Sequence, residues 1–148
     1  MSVTLKEALL SEAQRSTVLT DCEKVIDEEV AAKSGFSGLA VKGAFAMVKA
    51  IKPGIIHESV NALLDEFVEK MEPFYADFKS KGTGTLEGYF SARPSEVADA
   101  LLGVTDARAR KSTNSTLKKA YESLRPKGKL HVETALPRLA RMVAKHAK

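Results

Sequence analysis

The sequence has little that would point to an exported or membrane-bound protein. Its single cysteine, Cys22, cannot form an intrachain disulfide, and one free thiol fits a reducing compartment. The longest largely apolar stretch, residues 35–51, is interrupted by Lys42 and Lys49, and it is too short and too charged to span a bilayer. The first residues contain only a short apolar run, unlike a secretory signal. We therefore predict a soluble, cytoplasmic protein with no membrane partner.

Motifs for catalysis or metal binding are also incomplete. His57-Glu58 begins like the helix of a zinc protease, but Asn61 stands where the second histidine must be. The glycine-rich segment 82–88 lacks the preceding strand and the following lysine of a phosphate loop. We assign no catalytic, cofactor-binding or metal-binding residue, expect no cofactor, and favour a protein that is not an enzyme.

What the chain does contain is apolar residues at helical spacing along most of its length, without the alternation of a strand. This pattern predicts an all-α fold, a compact bundle of about six or seven helices forming a single domain over residues 1–148. Thr4 is expected to cap the first helix. Residues 56–71 give the clearest amphipathic pattern, which predicts that Leu63 and Phe67 lie at the centre of its buried stripe.

Residues 73–94 differ from the rest because they combine glycines with five of the nine aromatic residues. We expect an aromatic and glycine-rich connector here, with one or two short helices, followed by a helix that starts at Pro94. A final helix capped by Thr134 would place Pro137 in its first turn, where a proline is tolerated. The aromatic residues of the connector are candidates for a pocket that binds a small molecule: Phe74, Tyr75, Phe78, Tyr89 and Phe90.

The two ends of the chain also echo each other in the same order. Glu7-Ala8-Leu9-Leu10 is echoed by Asp99-Ala100-Leu101-Leu102, and Ile51-Lys52-Pro53 is echoed by Leu124-Arg125-Pro126. Such self-similarity indicates an internal duplication. The repeat halves would be residues 1–72 and 95–148, related by a pseudo-two-fold, with 73–94 joining them.

Charge is distributed unevenly. Residues 107–148 hold 12 of the 23 basic residues but only 2 of the 19 acidic ones. A basic segment of this kind can contact phosphates without reading sequence, although it can equally lie against acidic helices of the same molecule. The candidate polyanion-binding residues are Arg108, Arg110, Lys111, Lys118, Lys119, Arg125, Lys127 and Lys129.

Three segments resemble a family of short, uncharacterised, all-helical bacterial proteins. They are residues 96–109, the run Lys33-Ser34-Gly35-Phe36-Ser37-Gly38, and residues 121–126. The resemblance covers nearly the whole chain and implies a bacterial origin and a compact helical domain. It brings no activity, cofactor or catalytic residue with it.

Three functions remain open at this point. The small residues of the third predicted helix favour a non-enzymatic helical interaction module whose partner is a protein, either another copy or a different chain. The first alternative is that the protein binds nucleic acid or another polyanion, independently of sequence, through its basic segment 107–148. The second alternative is that the protein binds a small molecule or is an enzyme, through its aromatic segment 74–90.

Overall fold

A computed structural model describes residues 4–33 and 35–147, apart from the side chains of residues 36 and 37. The described chain forms eight α-helices and one 3₁₀ turn, and no strand occurs within it, which confirms the all-α prediction. The helices are α1 (Leu5–Leu10), α2 (Glu12–Ala32), α3 (Gly35–Lys49), α4 (Ile55–Lys81), α5 (Leu86–Ala92), α6 (Pro94–Lys111), α7 (Ser115–Leu124) and α8 (Gly128–His146), with the 3₁₀ turn at Arg125–Lys127. No helix in this part of the chain combines the length and the apolar character that a membrane span requires.

Local sequence signals account for several helix ends. Thr4 caps α1 as predicted, because its Oγ1 accepts a hydrogen bond from the Glu7 amide at 3.1 Å. Thr85 caps α5 in the same way, accepting from the Gly88 amide at 3.0 Å. Pro94 opens α6, also as predicted. Gly82 ends α4 with a φ of 68°, a left-handed conformation that residues with a Cβ avoid.

Two predicted helix boundaries are wrong. Helix α4 does not end before residue 73 but continues through Pro73 to Lys81, and α8 begins at Gly128, so Pro137 lies in its interior rather than in its first turn. A proline inside a helix removes one backbone hydrogen bond. In both helices apolar side chains beyond the proline are buried, Tyr75 in α4 and Ala140 and Val143 in α8, and this burial favours continuing the helix.

The main core lies between α1, α2, α4, α5, α6 and α8. Its largest fully buried side chains are Phe90, Leu5, Leu9, Leu136, Val18, Val68, Val97 and Val143. On α4 the buried stripe consists of Leu64, Val68, Met71 and Tyr75. The prediction that Leu63 and Phe67 form the centre of this stripe is therefore wrong: both are only half-buried and face a groove.

The helices pack in a pattern that repeats between the two parts of the chain. The contact between α1 and α4 corresponds to the contact between α5 and α8. In the same way, the contact between α2 and α8 corresponds to the contact between α6 and α4. Helices α3 and α7 pack against each other. The pattern is therefore nearly unchanged when α1–α4 are exchanged for α5–α8. One difference is that α3 contacts α4 directly, whereas the 3₁₀ turn stands between α7 and α8.

A candidate ligand-binding groove

A groove of about 760 Å³ lies between the α3–α7 pair, α4 and the end of α6. Its volume falls within the range of pockets that bind small molecules. Most of the side chains that line its walls are apolar: Ile26 from α2; Ala44, Phe45 and Val48 from α3; Ile55, Ile56, Val60, Ala62, Leu63 and Phe67 from α4; Ala109 from α6; and Leu117, Ala120 and Leu124 from α7.

Helix α4 reaches this groove because it has two adjacent apolar stripes. Leu64 and Val68 are buried in the core, Leu63 lines the groove, and Phe67 lines the groove while also packing against the core. Neighbouring residues on an α-helix point about 100° apart, so these pairs face in different directions. One helix thus supplies both the core and the groove wall.

Helices α3 and α7 form the opposite side of the groove. Ala44 on α3 and Ala120 on α7 are both buried, and such short side chains let two helices approach closely. Phe45 on α3 and Leu117 and Leu124 on α7 also line the groove and are half-buried. Of the small residues of the third predicted helix, Ala44 is buried against its neighbours, whereas Ala40, Gly43, Ala46 and Ala50 are exposed.

A polar network fixes the α6–α7 wall. The Tyr121 hydroxyl donates a hydrogen bond to the Asp106 carboxylate, and Thr105 Oγ1 lies 2.8 Å from Tyr121 Oη. Arg125 donates two hydrogen bonds to the same carboxylate, from Nε at 2.8 Å and from an Nη at 3.1 Å. Tyr121 and Thr105 also line the groove, so its wall holds an oriented polar group within an apolar surface.

The ionisation of this network follows from its contacts. Hydrogen bonding from Arg125, and then from Tyr121, lowers the pKa of Asp106 below its ordinary value. Burial, and then the hydrogen bond to Asp106, raises the pKa of Tyr121. Near neutral pH the pair therefore consists of a carboxylate and a neutral phenol, and the phenol proton lies toward Asp106.

Basic side chains stand at the mouth of the groove. Arg108 and Lys111 come from the last turns of α6, and Lys118 comes from α7. Ser112, Thr113 and Asn114 line the turn between these helices. The acidic side chain that lines the groove is Glu58, whose carboxylate lies 2.9 Å from Lys52 Nζ.

The predicted polyanion-binding residues fall into three groups in the structure. Arg108, Lys111 and Lys118 line the groove. Arg125 pairs with Asp106 at 2.8 Å, and Lys129 pairs with Asp99 at 3.2 Å. The other three, Arg110, Lys119 and Lys127, are exposed and lie outside the groove lining.

The predicted aromatic pocket residues pack into the core. Tyr75, Tyr89 and Phe90 are buried, and Phe74 and Phe78 are half-buried against the same core. The rings of Phe78 and Tyr89 meet edge to face, with centroids 5.9 Å apart. None of the five lines the groove. The structure gives this segment a packing role at the end of α4 and in α5.

The other residues singled out from the sequence lie in separate places. His57 Nδ1 lies 2.9 Å from a carboxylate oxygen of Glu23, and Asn61 accepts a hydrogen bond from Arg15 at 3.0 Å. Cys22 is half-buried in α2, and burial, with Asp21 and Glu23 nearby, raises the pKa of its thiol to about 11. Within the described residues no group of three or more histidine, cysteine or carboxylate side chains could hold a metal ion.

The groove was not predicted from the sequence, although one signal for it was present. The apolar arc of α4 is wide, because it holds Leu63, Leu64, Phe67 and Val68 together. A single packing contact does not cover an arc of that width, so a second apolar surface follows from it. Which helices would face that surface depends on tertiary packing that periodicity does not encode.

Comparison with known proteins gives a family but no activity. A model described as "Family of unknown function (DUF6918)" matches residues 5–147. No curated protein matches the chain, and no solved structure matches it.

Proposed function

The chain belongs to this family of unknown function, and from its groove we propose that it is a binding protein for a small molecule with an elongated apolar body. The observation that carries the proposal is the half-buried row Phe45, Leu63, Phe67 and Leu117 along a groove of about 760 Å³. Such a row remains partly in contact with water until a ligand covers it. The proposal replaces the aromatic segment 74–90 as the binding site, because that segment is part of the core.

The physical basis is apolar burial. Each buried methylene contributes about 0.8 kcal/mol to transfer from water, so two more methylenes lower Kd by about tenfold while the groove still covers them. Affinity should level off once the ligand outgrows the groove. The Tyr121–Asp106–Arg125 network supports this role because its hydrogen bonds hold the α6–α7 wall in place before the ligand arrives.

Uncharged 1-octanol, 1-decanol and 1-dodecanol provide the test, measured by isothermal titration calorimetry. We expect Kd to fall by about tenfold for each step of two carbons. Ala62→Phe should block the groove, because Ala62 is exposed and lines it. Ala76→Phe is the matched control, because Ala76 is exposed on the same helix but does not line the groove. Equal affinity for all three alcohols, or equal effects of the two variants, would contradict the proposal.

A second candidate is the self-associating helical module. The specific observation in its favour is that the outer surface of α3 exposes Leu39 (69%) and Met47 (49%). Sedimentation velocity over a range of protein concentrations tests it, with Leu39→Glu as the variant. A dimer that Leu39→Glu dissociates would support this candidate, whereas a monomer at all concentrations would exclude it. A cytoplasmic location, which the single cysteine favours, stays part of the proposal.

A further inference from the structure

We propose that the ligand of the groove carries an anionic head group, a carboxylate or a phosphate monoester, bound by Arg108, Lys111 and Lys118. This inference rests on the proposed function, since it names the chemical class of the ligand for the same groove. All three line the groove, with Arg108 and Lys111 before and Lys118 after the turn 112–114 that joins α6 to α7.

Within the part of the chain that the structure describes, none of these three cations forms an ion pair. Other basic residues in the C-terminal third are engaged: Arg125 with Asp106, Lys129 with Asp99, Arg138 with Glu29, Arg141 with Glu87 and Lys145 with Asp21. Among the described basic residues of this segment five are thus paired, whereas the three that line the groove are not, and neither are Arg110, Lys119 and Lys127 outside it.

Neighbouring acidic groups do not neutralise the mouth either. Glu58, which also lines the groove, lies 2.9 Å from Lys52 Nζ. Asp106, in α6 near Arg108, is already bound by Arg125 and Tyr121. The mouth therefore keeps a local excess of positive charge beside an apolar wall. A ligand that satisfies both surfaces has an apolar body in the groove and an anion at its end.

The position of the cations also fixes the direction of the ligand. Arg108 and Lys111 lie at the C-terminal end of α6, where cations are favourable next to the partial negative charge of the helix. Arg108 offers a planar fork that binds two oxygens at once, and the lysines add single donors. The ligand head should thus lie at the α6–α7 turn, with its tail along Leu63 and Phe67.

Dodecanoate at submicellar concentration is the probe, compared with 1-dodecanol of the same chain length. We expect the native chain to bind dodecanoate at least tenfold more tightly than dodecanol. Replacing Arg108, Lys111 and Lys118 together by glutamine should weaken dodecanoate binding by about 10- to 100-fold, because three exposed charged contacts are lost. Dodecanol binding should stay within about threefold. Added salt should reduce the advantage of dodecanoate, since these charges face water.

The matched control replaces Arg110, Lys119 and Lys127 by glutamine. It removes the same net charge from the same segment, but none of these residues lines the groove. We expect less than about threefold loss of dodecanoate affinity, because long-range attraction between exposed charges is screened. Circular dichroism checks that each triple variant is folded. If a triple variant does not fold, its three single substitutions are measured in its place.

The outcomes separate the inference from the function on which it rests. If dodecanol binds as tightly as dodecanoate and Ala62→Phe blocks both, the groove binds a ligand but the anionic head is wrong. If neither binds, the proposed function fails. If both triple variants weaken dodecanoate equally, general charge explains the effect, and the inference is overturned. A membrane surface would be the partner instead if the protein bound phosphatidylcholine vesicles only when phosphatidylserine was added. In that case both triple variants should weaken vesicle binding equally.

Discussion

At the scale of single residues, Asp106 has the densest polar contacts of the groove wall. Its carboxylate accepts from Tyr121 and accepts two hydrogen bonds from Arg125, so three donors surround one anion. Asp99, about two turns earlier on the same helix, has a single exposed pair with Lys129 at 3.2 Å. The contrast between these two aspartates separates a structural network from an ordinary surface ion pair.

Asp106→Asn should lower the free energy of unfolding at pH 7, because charge-assisted hydrogen bonds are lost. The loss should be only about 1–2 kcal/mol, because the side chains of Asp106 and Arg125 are both partly exposed. Asp99→Asn should change it by less than about 0.5 kcal/mol. The native pKa of Asp106 is lowered, so its contribution is complete above the unfolded pKa of about 3.9. The contribution disappears as the pH falls through the lower native pKa. Urea unfolding from pH 7 to pH 2 measures this, and a difference independent of pH would contradict it.

At the scale of elements, α4 shows how one helix serves two surfaces. Leu64 is buried (3%) in the core, and its neighbour Leu63 is half-buried in the groove. The two leucines are chemically identical and adjacent in sequence. Any difference between their substitutions must come from the surface that each side chain faces.

Leu64→Ala should cost about 2–5 kcal/mol, because it leaves a cavity in the core. Leu63→Ala should cost less than about 1.5 kcal/mol, because water can enter the space that it leaves, but it should weaken dodecanol binding by at least threefold. Chemical denaturation and calorimetry on the two variants measure both effects. If Leu63→Ala destabilises the fold as much as Leu64→Ala, the assignment of the two faces is incorrect.

Periodicity predicted most of the helices, and the reasons for its failures are local. The Thr4 cap and the Pro94 start depend on neighbouring residues alone, and both were predicted correctly. The continuation of α4 through Pro73 and the early start of α8 before Pro137 were not predicted, because a local rule does not include the burial of Tyr75 or Val143. The groove depends on which helices meet, and the sequence places Phe45 and Leu117 more than 70 residues apart. Only the basic residues at its mouth were identified beforehand.

At the scale of the whole molecule, we propose that the chain is one domain formed by internal duplication. The exchange of α1–α4 with α5–α8 supports it, and so do the buried residues. Thr4 and Thr85 cap α1 and α5 in the same way. Three buried residues of α4 correspond to three of α8 at a constant spacing of 72: Leu64, Val68 and Met71 to Leu136, Ala140 and Val143. The junction then lies in the loop after Gly82, not across residues 73–94.

Sequences of other family members test the duplication. Aligning residues 4–81 of each member with residues 85–147 should give matches above those of shuffled sequences, strongest at the Thr-Leu caps and at the spacing of 72 residues. The echo between Glu7-Ala8-Leu9-Leu10 and Asp99-Ala100-Leu101-Leu102 uses a spacing of 92 and pairs α1 with α6 instead of α5, so it should not persist. Matches at chance level in every member would remove the proposal.

The contacts that join the two parts of the chain have a consequence during synthesis. Helices α2 and α4 find their partners α8 and α6 only in the second part, so the first part cannot cover its own apolar faces. About 30 residues separate the end of α4 from the end of α6, and at 5–20 residues per second a ribosome takes about 1.5–6 s to add them. During that interval the stripe of Leu64 and Val68 lacks the helix of the second part that packs on α4. We expect the nascent chain to be most prone to aggregation in this interval, which ends once α6 has left the ribosome.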